Sequence, residues 1–99
     1  MSSLNTKISY VLADLAPAAD TVVTTQECDF ISARVTTVLS AHAVAIEATT
    51  GGDVIGHLAA SAAVGTTVAG DGIRVPGITL AGDAASTGVV LVAFRVTSL

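Results

Sequence analysis

The stretch TVAGDGIRVPGITLAGDAASTG, Thr67 to Gly88, contains T-x-A-G-D twice, twelve residues apart. Three readings compete for it: a glycine-rich phosphate cradle, a calcium-binding repeat, or turns between strands. A dinucleotide fingerprint needs G-x-G-x-x-G between a strand and a helix. Here Val75 stands where the third glycine belongs, and a strand pattern follows. A Walker loop needs a lysine after its last glycine, and Gly77 is followed by Ile78. Nonapeptide calcium repeats come in tandem copies, whereas the third such aspartate, Asp53 in GGD, lies far upstream. Gly70, Gly72, Gly82, Asp71 and Asp83 therefore read as turn formers. The two AGD elements become strand-ending turns that bracket GIRVPGITL, one strand-bulge-strand unit.

Working outward, alternation with period two dominates the chain. From Phe30 to Ser40 the odd positions Ile31, Ala33, Val35, Thr37 and Leu39 oppose Ser32, Arg34 and Thr36, a strand with one apolar face. In HAVAIEAT, Val44, Ile46 and Ala48 oppose Glu47. In KISYVLADL, Ile8, Tyr10 and Leu12 share one parity, and DTVVTTQE is a shorter strand. The terminal GVVLVAFRVTSL is apolar on both parities from Val89 to Val92, as in a central strand covered on both sides or facing a neighbouring subunit. HLAASAAVG, His57 to Gly65, is the one segment where a helical turn competes, because alanine is the strongest helix former. Strand signals recur at intervals of about ten residues, the mark of an antiparallel sandwich or barrel. The expected fold is all-β: an antiparallel, jelly-roll-like β-sandwich of about seven or eight short strands. Residues 20–99 form the sandwich domain, and residues 1–19 form an N-terminal arm or first strand, with LAPAAD as an extended connector.

Composition narrows the function. Ala, Val and Thr supply 18, 14 and 13 of the 99 residues, against two Phe, one Tyr and no Trp. Charged residues make up 12%, about half the usual ~25% of soluble domains. Small side chains bury little area each, so a core of this size is marginal alone and association with other subunits would complete it. The longest uncharged run, Val54 to Gly70, is short and interrupted for a membrane-spanning helix. Tyr10, Asp14 and Pro17 break the N-terminal apolar run, so it does not read as a cleaved signal peptide. Lys7, Arg34, Arg74 and Arg95 form no basic run, which argues against nucleic acid or an anionic membrane as partner.

The raw materials for chemistry are sparse. Cys28, the single cysteine, reads as a small buried hydrophobe and excludes an intramolecular disulfide. His42 and His57 lie in no G-x-S-x-G, H-E-x-x-H or paired metal spacing. The expectation is no enzyme, no catalytic residue, no metal and no cofactor, with a small hydrolase or lyase using His42 or His57 as the rival.

From Asp29 onward the order FISARVTTVLS, HAVAIEATTGGDVIGHLAA, a turn region, GIRVPGITLAG and VVLVAFRV resembles the small jelly-roll head decoration, or cement, proteins of tailed bacteriophages. The resemblance covers about seventy residues and is one of layout, with strand number and spacing as its substance. It implies a structural virion protein, made in the host cytoplasm, that decorates a phage capsid and stabilises it by binding between major capsid subunits. It also implies a homo-oligomer, with a trimer favoured. Ile8, Tyr10 and Leu12 in the N-terminal segment, and the outward parity of Val89 to Val96, are the expected partner contacts. The alternative is a carbohydrate- or receptor-binding sandwich on the virion surface, as in a tail or fibre component, although such modules usually present aromatic platforms.

Overall fold

The computed structural model describes residues 5–15 and 19–98. Among them are eight strands and no helix: β1 (Asn5–Asp14), β2 (Asp20–Thr24), β3 (Cys28–Thr37), β4 (Val44–Glu47), β5 (Val54–Leu58), β6 (Thr67–Val75), β7 (Ile78–Ala81) and β8 (Val89–Ser98). They make two four-stranded antiparallel sheets, β1-β8-β3-β6 and β2-β7-β4-β5. The first strand pairs with the last, the second with the seventh, the third with the sixth and the fourth with the fifth. The chain is thus one long antiparallel ribbon, folded between β4 and β5 and wound over so that β3 meets β8 and β4 meets β7. That winding is a jelly roll, and the all-β antiparallel sandwich expected from the periodicity is the architecture observed.

Burial follows from which parity faces the other sheet. From β3 and β8 the inward residues are Phe30, Ala33, Val35, Val90, Val92 and Phe94; the second sheet answers with Val44, Ile46, Leu58, Ile78 and Leu80. The apolar run in β8 divides cleanly: even positions enter the core, while Val89, Leu91, Ala93 and Arg95 face outward with their β1 partners Asp14, Leu12, Tyr10 and Ile8. No helix is long and apolar enough to cross a membrane among the described residues.

Three local expectations need correction. The odd-parity face proposed for β3 fails at its start, because a bulge between Phe30 and Ser32 lets both Phe30 and Ala33 point inward. Ile31 is the inserted residue and is only half-buried. The first AGD element does not end a strand: Gly70, Asp71 and Gly72 lie inside β6, opposite that bulge. Asp71 (φ 55°) and Gly72 (φ 71°) adopt left-handed backbone there. Nor is GIRVPGITL a unit of one sheet, since Pro76-Gly77 carries the chain from β6 in one sheet to β7 in the other.

The alanine-rich segment after His57 forms no helix. β5 ends at Leu58, and two turns follow, at Ser61 (φ 57°) and Gly65 (φ 96°). The backbone donors Leu39 N and Gly65 N bond to Ala62 O (3.1 Å) and Val35 O (2.8 Å), which straps the segment to the end of β3. Tertiary hydrogen bonding outweighs alanine's propensity here. The connector LAPAAD lies partly outside the described residues.

Candidate functional site

The side chains singled out for partner contact share the exposed face of β1. The inward parity of this strand, Val11, Ala13 and the following Leu15, packs on the core, with Leu15 N bonded to Gly88 O at 3.0 Å. Period-two geometry then forces Ile8, Tyr10 and Leu12 out to solvent. They are 42%, 64% and 64% exposed, an uninterrupted row of the chain's larger apolar side chains. Opposite them on β8 stand Arg95, Ala93 and Leu91. Leu91 is half-buried and Ala93 is buried although both point away from the core, so the row continues inward across the sheet.

At one end of the same face is a charged cluster that composition did not reveal. Asp29 on β3 has Arg74 of β6 and Arg95 of β8 as its direct cross-strand neighbours. Arg74 Nε lies 3.2 Å from Asp29 Oδ1 and Arg95 Nε lies 3.3 Å from Oδ2, while Glu27 Oε1 approaches Arg74 at 3.7 Å. Two carboxylates and two guanidinium groups balance, so the cluster ties three strands together without presenting net charge. Lys7 and Arg34 are exposed. The sequence signal was unreadable without the register, because nothing in residue spacing places position 29 between positions 74 and 95.

Cys28, beside this cluster, is fully buried at the start of β3. Its thiol is pushed above the ordinary 9.0, first by burial and then by the adjacent Asp29 carboxylate, with Arg74 opposing. A protonated, enclosed thiol is a poor nucleophile.

The two histidines are on different elements. His42 lies in the bend between β3 and β4, with Nε2 4.0 Å from Asp83 Oδ1. His57 is exposed on β5, opposite Ala45. Among the described residues no three His, Cys, Asp or Glu side chains gather as a metal site, and no pocket is present. Asp71 and Asp83 of the AGD elements shape backbone. Asp83 Oδ1 accepts from Ala85 N at 2.9 Å, and Asp83 N donates to the buried Ser86 Oγ at 2.8 Å. Before Asp53, Gly51 (φ 76°) and Gly52 close the turn by donating to Glu47 Oε1 (3.1 Å) and Thr49 O (3.0 Å).

No family model, curated protein or solved structure matches this chain. Ile8, Tyr10 and Leu12 gain nothing from the core they turn away from, and water contact with such a row is costly. The arrangement suits apolar association with another protein surface.

Proposed function

We propose that this chain is a structural virion protein that decorates a bacteriophage capsid as a homo-oligomer and stabilises it by binding between major capsid subunits. The observation that carries the reading is the exposed Ile8-Tyr10-Leu12 row on one face of a jelly roll. Its support is the layout resemblance, the low charge and a core of small side chains that gains from association. Contact of this kind needs only a few kcal/mol per copy, because neighbouring sites on a shell raise the effective concentration of every further contact.

The test is co-sedimentation of the purified chain with capsid shells that lack a decoration protein. Saturable binding at a fixed ratio to the major capsid subunit is the expected result. Binding should weaken in a Leu12→Lys variant that folds normally. Absence of wild-type binding to such shells would refute the assignment.

A further inference from the structure

The four edge strands of the sandwich differ in a way that selects one of them. β2 shifts register between Val22 and Thr24. β5 shifts where Gly56 and Val54 face Ile46 and Glu47, leaving Ile55 extra. β6 shifts at Gly70–Gly72, with Asp71 and Gly72 in left-handed backbone, and Pro76 follows it. Bulges, short length, proline and edge lysines are the usual means of keeping an edge from pairing with another chain. β1 has no bulge and no proline, and its one lysine, Lys7, lies before the apolar row. Its ten residues pair with β8 without one shift, from Asn5 opposite Ser98 to Asp14 opposite Val89, and β8 is its one strand partner among the described residues. The long regular edge is also the strand that bears the exposed apolar row.

We propose that β1 pairs antiparallel with β1 of a second copy about a two-fold axis at Tyr10, joining the two β1 sheets into one continuous eight-stranded sheet. The occupant is a second copy because the outward row reads alike in both directions. Tyr10 lies at its centre, with Ile8 and Leu12 two residues to either side. Antiparallel pairing with residue numbers summing to twenty sets Tyr10 against Tyr10 of the second copy and Ile8 against Leu12. Each apolar side chain meets an apolar one, and Asp14 falls opposite position 6, beyond the row. Summing to twenty-two would set Asp14 against Ile8, and summing to eighteen would set Leu12 against position 6. An odd sum would set outward residues against inward ones. One register therefore satisfies the whole row.

The consequence is a composite surface. Side chains in an extended sheet still point outward, so six residues, three from each copy, form one apolar band flanked by Leu91 of both copies. That band is larger than either chain offers alone and is the face that the proposed capsid partner would meet. The pairing itself does not depend on the capsid reading. A two-fold contact of this kind is isologous and closes at two chains, where the cement-protein resemblance implies a trimer.

Cysteine trapping tests the register on the intact chain. Directly opposed Cα atoms in an antiparallel pair are ~4.5 to 5.5 Å apart, inside the ~4.4 to 6.8 Å span of a disulfide. Under mild oxidation a Tyr10→Cys variant should form a covalent dimer on non-reducing gels. A mixture of Ile8→Cys and Leu12→Cys variants, which keeps Tyr10, should cross-link to a heterodimer, while Ile8→Cys alone should not. Native Cys28 is buried and serves as the unreactive background. The proposal is overturned if neither Tyr10→Cys nor the mixture cross-links, if Ile8→Cys alone cross-links as well as the mixture, or if the wild type has the solution mass of one or three 9.7 kDa chains. Cross-linking and mass are read without shells, so failure of shell binding leaves the pairing standing and a three-chain mass overturns the pairing alone, whereas a single-chain mass would overturn both the pairing and the homo-oligomer of the capsid reading.

Discussion

Replacing Gly70 by alanine should be among the most damaging one-carbon changes available to this chain. A Cβ at that position would run into Phe30 O and lie 2.5 Å from Phe30 Cδ2 and 2.7 Å from the Phe30 carbonyl carbon. Two of those atoms are backbone of β3, and the ring is fully buried opposite Phe94, so it has nowhere to swing. Relief requires β3 and β6 to part at the bulge where Asp29 holds Arg74. Overpacking of this kind costs about 1 to 3 kcal/mol, and contact with backbone places Gly70→Ala at about 3 kcal/mol. For a domain of this length each kcal/mol is worth roughly 4 to 8 °C of Tm, so a drop of more than about 10 °C is expected. Gly65→Ala is the control: its Cβ would meet nothing within 4 Å, and only the positive φ of 96° opposes it. That should cost about 1 to 2 kcal/mol. Equilibrium denaturation followed by far-UV circular dichroism gives both values. If Gly70→Ala were milder than Gly65→Ala, the close approach of β6 to Phe30 would be wrong.

Other perturbations probe the remaining links. Asp29→Ala leaves Arg74 and Arg95 without their shared counter-ion; because both guanidinium groups are well exposed, the loss should be about 1 kcal/mol and should shrink as salt rises, read from melting curves at two ionic strengths. Ser86→Ala removes the acceptor for Asp83 N and should cost about 1 kcal/mol in the same assay. Because the Cys28 thiol is pushed above 9.0 in the folded chain, stability should be unaffected by this group below pH 9 and should fall as pH rises beyond it. Cys28→Ala should abolish that alkaline component, and iodoacetamide should label the wild type only on unfolding. Leu12→Lys changes a largely exposed side chain and should alter stability by no more than about 0.5 kcal/mol while weakening association.

The strands were legible because burial imposes period two wherever one face meets the other sheet. Val44 and Ile46 against Glu47 announced their faces directly, whereas the doubly apolar Val89 to Val92 marked a central strand without showing which parity meets the core. The β3 and β6 bulges were not legible. A bulge inverts parity, so Ile31 and Phe30 exchange faces without any change in composition, and the glycines and aspartate that permit it are the same residues that make turns elsewhere. The crossing at Pro76-Gly77 depends on sheet assignment, a long-range property that a local dipeptide does not encode. For the candidate site, the parity of Ile8, Tyr10 and Leu12 was plain from sequence, whereas their exposure depends on which parity the core accepts. The Asp29 cluster depends on two strand registers at once, and those are set by the winding of the whole ribbon.

The proposed pairing has the exposed row on β1 hold copies of this protein together. Its most direct test is the solution mass of the wild type and of a Tyr10→Lys, Leu12→Lys double variant, by light scattering after size-exclusion chromatography. Pairing through β1 gives twice the 9.7 kDa chain mass for the wild type and a single chain for the variant, with equal circular dichroism. A wild type that elutes as a folded single chain at high micromolar concentration, or a variant that keeps the wild-type mass, would contradict it.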